Sequence, residues 1–269
     1  DTGSVDGSRE IAVRYADILF DFPWVDDFSA ARNAVMDRAA GKWFLTVDSD
    51  EYLDGDISEL VDFLCGSSES RAMVIVRNYV TAEMNGQYSD SWAGRLVRMS
   101  SGLRYQGRIH ENFPDTGARP AMLGRTVFHH DGYVGMNQGA DRKKRARNVA
   151  LLRAGLAEEP EDLRHLTQLI ESGREEPDYL EVVRRAAALV EGKKPGWREY
   201  GPAVFRHAVF AARRLDLPEL RDWIRRAEEW FPDSFFTRID VAHTAFVDSW
   251  DREDWFGCIH YGEDFLRAE

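Results

Sequence analysis

The sequence predicts an α/β domain followed by a domain built only of helices. Up to about residue 135, amphipathic helical stretches alternate with short apolar runs rich in β-branched and aromatic residues, which is the pattern of an α/β layer with mixed strands. From about residue 140 onward the strand pattern stops and only helical periodicity continues. A chain of 269 residues is long enough for two domains of ordinary size.

Periodicity, capping residues and turn signals place the elements of the first part. A first helix is predicted over residues 9–18, and Ser29 is the expected cap of a second helix over residues 30–40 that Gly41 ends. The apolar run WFLTV at residues 43–47 predicts a buried strand. The same reasoning predicts a helix over residues 57–64, a strand over 72–80 and shorter strands over 95–99, 104–109 and 125–130.

The second part carries a repeat. Pro160, Pro195 and Pro232 fall about 35 residues apart, and each opens a stretch with two helical patterns, such as 163–170 followed by 179–190. A helix–turn–helix unit of about 34 residues is typical of tetratricopeptide-type repeats. An irregular helical bundle is the alternative that this periodicity leaves open.

Composition excludes several classes of protein. With a net charge of −12, nonspecific binding to nucleic acid is not expected, because affinity for phosphates needs a basic surface. The sequence contains neither a transmembrane stretch of about 20 apolar residues nor a visible signal peptide. Its two cysteines, Cys65 and Cys258, fit a reducing compartment, so we expect a cytoplasmic protein.

The triplet Asp-Thr-Gly occurs at residues 1–3 and 115–117, and two copies of it supply the carboxylates of aspartic proteases. The surroundings argue against a protease. The first triplet runs straight into a predicted helix, and the second follows Pro114, which cannot donate to a central strand ladder. Helices dominate the second half of the chain, whereas an aspartic protease is almost wholly built of strands.

A cluster of acids, DSDE at residues 48–51, directly follows the predicted strand 43–47. The carboxyl end of a buried strand is where α/β sheets bind ligands. Asp48 and Asp50 project to the same side if the backbone stays extended, and they repel each other unless a cation or hydrogen-bond donors neutralise them. Carboxylate oxygens are suitable ligands for Mg²⁺ or Mn²⁺, and such an ion could be shared with a bound diphosphate. An EF-hand is excluded because Tyr52 takes the fifth loop position, while an acidic turn that caps the next helix stays the structural alternative.

Several segments in order carry a resemblance to a known family: DTGSVDGSREIA, DFSAARNAVMDRAAGKWFLTVDSDEYL, GRLVRMSSGLRYQGRIHENF and HDGY. Together they resemble the nucleotide-binding half of family 2 glycosyltransferases with the GT-A fold, in the branch that carries tetratricopeptide repeats. The resemblance runs from Asp1 to about Ala157. It implies a Rossmann-like GT-A domain for nucleotide-diphospho-sugars over residues 1–139 and a tetratricopeptide-like helical domain over 140–269. In the family a first strand and helix precede DTGS, and the sequence given begins after them.

The resemblance assigns roles around the donor. Asp1 contacts the nucleobase or ribose of the sugar nucleotide, and Gly3 belongs to the turn that leads into the first helix. Asp48 lies near the ribose, and Asp50 binds the metal ion that bridges the two phosphates. Glu51 supports this loop.

Glu111 falls where the family places its catalytic carboxylate, within the sequence IHE. An inverting transfer needs a base that takes the acceptor proton as the anomeric carbon is attacked. The alternative role for this side chain is a salt bridge with Arg108 or Arg104. Asp115 is the next candidate for the base.

His130 matches the late histidine that completes the metal shell in many GT-A enzymes. His129 is its rival, because alternation along a strand turns only one of the two toward the site. The following pair, Gly132 and Tyr133, sets the family register in favour of His130. A joint metal site requires that Asp50 and His130 lie within ~12 Å of each other.

Two further side chains complete the predicted donor site. Arg95 is expected to stabilise the departing diphosphate, because a guanidinium forks onto phosphate oxygens. Trp92 is expected to stack on a sugar, although an aromatic residue there would serve equally well in a core.

These assignments predict a metal-dependent inverting glycosyltransferase that uses Mn²⁺ or Mg²⁺ and transfers a hexose from a UDP-linked or similar donor. The acceptor is a hydroxyl or other nucleophile of a peptide, protein or glycan, since repeat surfaces bind extended ligands. A homodimer through the helical domain is left open. The alternative functions are a noncatalytic repeat-containing interaction protein with a degenerate transferase domain, and a metal-dependent nucleotide-sugar hydrolase.

Overall fold

The protein, seen in a computed structural model, is described over residues 1–79, 87–132, 134 and 138–268, without the side chains of 138–141 and 264–268. It divides into two compact units, Asp1–Lys144 and Arg145–Glu269. The first unit contains a mixed sheet flanked by helices, and the described part of the second is helical. The predicted fold class is therefore confirmed, and the predicted boundary between residues 139 and 140 stays a prediction.

Five strands of the first unit form one sheet in the order β1-β4-β3-β5-β2. Only β3 and β5 pair in parallel, and the other three pairs are antiparallel. The elements in chain order are α1 (Ser8–Tyr15), α2 (Phe28–Met36), β1 (Trp43–Leu45), β2 (Glu51–Leu53), α3 (Ser58–Gly66), β3 (Arg71–Tyr79), β4 (Tyr88–Arg98) and β5 (Ala121–His130).

Two apolar clusters hold the helices to this sheet. One joins α3 to the central strands and contains Leu60, Phe63, Ala72, Val74, Val76, Leu96, Leu123 and Phe128. The other joins α2 to β4 and to the segment between β4 and β5, and contains Met36, Val97, Tyr105 and Phe113. The second cluster matters for function, because α2 and that segment carry candidate site residues.

A bulge in β4 places Arg95. Ala72 pairs with Leu96 and Met73 pairs with Gly94, so Arg95 is an additional residue of β4 with no partner on β3. Bulges bend a strand and redirect side chains, often beside functional sites. The carbonyl of Arg95 still accepts a hydrogen bond from the amide of Thr46, at 2.9 Å, which ties the bulge to the chain that leaves β1.

The structure corrects three sequence-based predictions. The strand predicted at residues 43–47 ends at Leu45, because a turn follows in which the Glu51 amide donates to the Asp48 carbonyl at 3.0 Å. The cap of α2 is Asp27 rather than Ser29, which lies inside the helix. The predicted strand at 104–109 is absent from this described segment, where a single bridge between Gln106 and Asn112 closes a tight loop. The last residue of the strand predicted at 72–80 lies outside the described residues.

The helical unit follows the predicted pairing of helices. Each of the pairs α5–α6, α6–α7, α7–α8 and α9–α10 is in contact. The helices are α4 (Gln138–Glu158), α5 (Leu163–Ser172), α6 (Tyr179–Glu191), α7 (Trp197–Arg214), α8 (Leu220–Trp230), α9 (Ala242–Asp251, preceded by a π-helical turn over Thr237–Val241) and α10 (Trp255–Ala268). Among the helices described, we find no stretch whose length and hydropathy would suit a membrane span. Cys65 and Cys258 are both free thiols.

Candidate active site

Helix α2 presents two polar residues toward the segment that follows β4. Ser29 and Met36 are the buried residues of α2, and Arg32 and Asn33 lie between them at helical spacing on the same side. The side-chain amide of Asn33 donates from Nδ2 to the Tyr105 backbone carbonyl at 3.0 Å. Its Oδ1 accepts from the Tyr105 backbone N–H at 2.9 Å. This reciprocal pair fixes the segment against α2.

Arg32 sits at the centre of a network that we call the arginine cluster, formed by Arg32, Asp48, Glu51, Arg95 and Glu111. Arg32 donates from Nη2 to Asp48 Oδ1 at 2.8 Å and from Nε to Glu111. Arg95 donates to Asp48 Oδ2 at 3.0 Å and to Glu51. Glu51 in turn accepts from the Asp48 amide at 3.1 Å. Four segments distant in sequence, around residues 32, 48–51, 95 and 111, are thus linked through the two guanidinium groups.

The arginine cluster neutralises its own carboxylates. Burial works to raise the pKa of Asp48, but the positive charges of Arg95 and Arg32 outweigh it, so the net pKa is lowered. For Arg32, burial works to lower the pKa, and the charges of Glu111 and Asp48 outweigh it and raise the pKa. Asp48 is therefore ionised and held in one orientation at neutral pH.

Glu111 lies in a tight loop closed by the Gln106–Asn112 bridge. Backbone hydrogen bonds of 2.8 and 3.1 Å close this bridge. His110, directly before Glu111, has φ of +52°, a left-handed conformation that non-glycine residues seldom adopt and that clusters at functional sites. The Glu111 side chain is 11% exposed.

The sequence-based alternative named Arg108 or Arg104 as the salt-bridge partner of Glu111, whereas the ion pair in the structure is with Arg32. Arg104 instead approaches Asp37 at 3.4 Å, and Arg108 donates to the Asp26 carbonyl at 3.2 Å. Asp115, the second candidate base, is 89% exposed and lies 3.5 Å from Arg71.

A second polar site, the Asp50–His130 pair, joins the segment between Asp48 and β2 to the end of β5. His130 Nε2 is 3.2 Å from Asp50 Oδ2. Glu51 pairs with His130 in the β2–β5 ladder, and the Asp131 amide donates to the Asp50 carbonyl at 3.2 Å. The β2–β5 pairing therefore brings together the two residues that the sequence predicted as metal ligands.

The hydrogen bonds of Asn78 determine the proton on His130. The Asn78 Nδ2 group lies within hydrogen-bond distance of the carbonyls of Val76 and Ser89, which can only accept, so its Oδ1 is the atom 2.8 Å from His130 Nδ1. Because Oδ1 is an acceptor, Nδ1 of His130 carries a proton. In the neutral imidazole, Nε2 then directs a lone pair at the carboxylate of Asp50. Two electron-rich atoms at this separation require a proton or a cation between them.

Gly132 leaves room beside this pair. A Cβ atom at this position would lie 2.2 Å from Asp50 Oδ2 and 2.6 Å from His130 Nε2, closer than any side chain can approach. The donor set, one carboxylate and one imidazole whose Nδ1–H is bound by the side-chain amide of Asn78, suits a divalent transition metal such as Mn²⁺. In the described part of the chain, groups of three or more His, Cys, Asp and Glu that could hold a metal are absent. A diphosphate and water would supply the remaining ligands.

His129 faces away from Asp50. Its Nδ1 atom is 2.8 Å from the Tyr79 hydroxyl, and its ring stacks on Tyr79 and on Tyr52, with centroids 5.7 and 5.1 Å away. Strand alternation thus separates the two histidines, as expected, and places His130 beside Asp50. The register argument from Tyr133 lies outside the described residues.

The remaining predicted donor residues are more dispersed. The Asp1 carboxylate accepts from the amides of Gly3 and Ser4, both at 2.8 Å, and Gly3 has φ of +113°, which favours glycine in this turn. Among the described residues, no hydrogen bond or ion pair joins Asp1 to Asp48 or to the Asp50–His130 pair.

Trp92 is 45% exposed on β4, so it does not belong to the core. Arg95 is bound to two carboxylates, so direct contact with a diphosphate requires it to exchange one of them.

Sequence reasoning missed Arg32 and Asn78. Arg32 and Asn33 share the apolar side of α2 with Ser29 and Met36, and polar residues on a buried helix face need buried partners. That signal was available in the sequence. Nothing local distinguishes Asn78, because its partner on the neighbouring strand is 52 residues away.

Comparisons with known proteins identify the family of this chain. The profile of glycosyl transferase family 2 matches residues 1–138. A TPR repeat-containing protein of Synechococcus elongatus is 32% identical over 171 residues, which are 60% of this chain and 41% of that protein. The SPbeta prophage-derived glycosyltransferase SunS of Bacillus subtilis is 26% identical over 170 residues, 58% of this chain and 39% of that protein. The chain thus spans about two fifths of the length of these curated relatives. It belongs to glycosyl transferase family 2.

Proposed function

We propose that the protein is a metal-dependent inverting glycosyltransferase that transfers a hexose from a nucleotide-diphospho-sugar, UDP-linked or similar. The observation that carries the proposal is the Asp50–His130 pair, in which a carboxylate oxygen and an imidazole nitrogen face each other beside a glycine with no room for a side chain. In a domain of this family, a cation bound by Asp50 and His130 would be able to coordinate the diphosphate of the sugar nucleotide.

Asp50 and His130 would hold Mn²⁺ or Mg²⁺, and Asn78 would keep Nε2 of His130 available by accepting a hydrogen bond from Nδ1–H. The ion, when bound, offsets the negative charge of the departing diphosphate. Asp48, which the arginine cluster keeps ionised and oriented, is the proposed ribose ligand. Arg95 acts by fixing Asp48 and can exchange one carboxylate for a phosphate oxygen.

Glu111 is the proposed general base. It takes the proton of the acceptor nucleophile while that nucleophile bonds to the anomeric carbon and the bond to the diphosphate breaks. Arg32 fixes one carboxylate oxygen of Glu111 and contacts Asp48 with the same guanidinium. This connection supports a site in which donor and base are positioned relative to each other.

The other assignments remain part of the proposal. Asp1 and Gly3 form a turn that would contact the nucleobase or ribose, and exposed Trp92 would stack on a sugar. A peptide, protein or glycan acceptor would use the repeat unit, with the domains taken as 1–139 and 140–269. A homodimer through the helical unit and a cytoplasmic location stay predictions. Sedimentation equilibrium tests the homodimer prediction.

The experiment is a thermal-shift screen of sugar nucleotides with Mn²⁺, with Mg²⁺ and with EDTA, followed by product analysis of any hit. A donor should raise the melting temperature only with metal, by mass action on the folded state. If no sugar nucleotide raises it under any condition, the noncatalytic alternative replaces our proposal. Release of free sugar that an added acceptor never reduces would indicate the hydrolase instead.

A further inference from the structure

The helical unit contains a small cavity with a positively charged lining, formed within that unit alone. Its volume is about 110 Å³, and it lies among the loop after α5, the start of α6 and the second half of α7. The lining residues are Arg174, Tyr179, His207, Phe210, Ala211 and Arg214.

His207 is the least satisfied polar residue of this lining. It is 1% exposed, its Nδ1 atom is 3.4 Å from the Tyr179 hydroxyl, and Nε2 has no hydrogen-bond partner among the described residues. A buried polar nitrogen without a partner is costly, and native structures contain few of them.

His207 is neutral, and Nε2 is a donor in the tautomer whose Nδ1 accepts from the Tyr179 hydroxyl. Burial, reinforced by the charges of Arg174 and Arg206, lowers the pKa of His207 to about 4, so the ring is neutral at pH 7. A neutral imidazole has one donor and one acceptor. When the Tyr179 hydroxyl donates to Nδ1, the proton lies on Nε2 and requires an acceptor.

The arginines of the cavity lack acidic partners. Within the part of the chain described, neither Arg174 nor Arg214 forms an ion pair, and both are exposed at the cavity mouth. Arg214 contacts the Tyr179 ring, 5.7 Å from its centroid. The carboxylates on neighbouring segments are engaged by other arginines: Asp178 by Arg153, Glu175 by Arg145 and Asp240 by Arg206.

We propose that this cavity binds a small oxyanion, the carboxylate or phosphate group of a ligand. Such a group supplies at once the negative charge that Arg174 and Arg214 lack and the acceptor that His207 Nε2 lacks. The site is independent of the proposed transfer reaction, because every residue of its lining belongs to α5–α7 and their connections.

The test is nuclear magnetic resonance of the whole chain labelled with ¹⁵N-histidine, with the His207 signals assigned from a His207→Gln variant. Inorganic phosphate and acetate are titrated separately at constant ionic strength with chloride. We expect a saturable shift of the Nε2 signal, and the anion with the lower Kd identifies the phosphoryl or the carboxylate source. An Arg174→Gln/Arg214→Gln double variant should weaken binding by about tenfold or more, because two charge-assisted contacts are lost.

Arg225→Gln is the matched control, since Arg225 is an exposed arginine of the same unit that pairs with Glu229. It should leave the affinity unchanged. The proposal is overturned if neither anion shifts the Nε2 signal saturably, because water then satisfies His207. It is also overturned if the double variant binds as tightly as the natural protein.

Discussion

The arginine cluster and the Asp50–His130 pair share one short acidic segment, Asp48–Glu51, yet they treat negative charge in opposite ways. Asp48 receives hydrogen bonds from two guanidinium groups, and Glu51 and Glu111 each pair with one of them. Asp50, two residues from Asp48, faces an imidazole nitrogen that carries a proton only when the ring is charged. The first site neutralises its carboxylates with arginines of the chain, whereas the second needs a proton or a cation between its two facing atoms.

This difference separates two tasks of acidic residues in the proposed site for a sugar diphosphate. Carboxylates that the chain neutralises itself are fixed in place and can orient a donor or accept a proton. A carboxylate that pairs with no arginine among the described residues, beside a histidine with a determined tautomer, is available to a metal ion. The DSDE sequence contains both kinds, and residue type alone does not distinguish them.

The largest expected effect concerns Glu111 of the arginine cluster. Glu111→Gln keeps the shape of the side chain and removes its basicity, so kcat should fall by ~10²–10⁴-fold while donor affinity changes little. Single-turnover rates and donor Kd measure the two quantities. Asp115→Asn, which alters an exposed acid of the same segment, should leave both unchanged. A Glu111→Gln variant with the natural rate would place the base elsewhere.

The next largest effect is expected at Asn78, whose substitution tests the proposed metal site of the Asp50–His130 pair. Asn78→Leu removes the acceptor of the His130 Nδ1 proton, so the affinity for Mn²⁺ should fall by about 10–100-fold. Asn78→Asp keeps an acceptor at this position and should retain most of the affinity. Mn²⁺ titration in the presence of UDP provides the measurement. Equal affinity for Asn78→Leu and the natural protein would show that the tautomer of His130 does not matter.

A smaller effect is expected at Gly132. The Cβ of Gly132→Ala would lie 2.2 Å from Asp50 Oδ2, so the pair must move. Such overpacking typically costs about 1–3 kcal/mol, and we expect metal-dependent donor affinity to fall by about tenfold. Gly94→Ala is the control, since a Cβ there meets no atom within 4 Å. If both variants bind alike, the space beside Asp50 has no role in binding.

The smallest effect concerns stability and Asp48. Its pKa is lowered in the folded state, so its ion pairs stabilise the fold above the ordinary Asp pKa of 3.8, and this contribution is lost as the pH falls through the lowered value. Asp48→Asn should reduce the free energy of unfolding by about 1 kcal/mol at pH 6, because Asp48 is partly exposed and both arginines retain a second carboxylate.

The difference between Asp48→Asn and the natural protein should shrink toward pH 3. Urea unfolding at the two pH values measures it, with Asp54→Asn as an exposed control. A difference that does not depend on pH would mean that the charge of Asp48 is not the stabilising element.

Local sequence signals predicted most of the elements, though not β2, and the pairing of helices, because periodicity and turn residues act over a few positions. These signals failed where contacts between residues distant in sequence determine the local structure. The loop at 104–109 forms no strand because it bends at Gly107 and His110, both with positive φ, and is pinned to α2 by Asn33. The sequence made Glu111 a candidate site residue, but its partner Arg32 lies 79 residues away and no local pattern joins them.

The central claim is that Asp50 and His130 bind a divalent cation on which donor binding depends. Isothermal titration calorimetry of UDP tests it most directly, with Mn²⁺ and with EDTA, on the natural protein, Asp50→Asn and the control Asp54→Asn. Mn²⁺ should tighten UDP binding by about tenfold or more in the natural protein and in Asp54→Asn, and should have little effect in Asp50→Asn. UDP binding of equal strength in Mn²⁺ and EDTA, or an undiminished response to Mn²⁺ in Asp50→Asn, would contradict the claim.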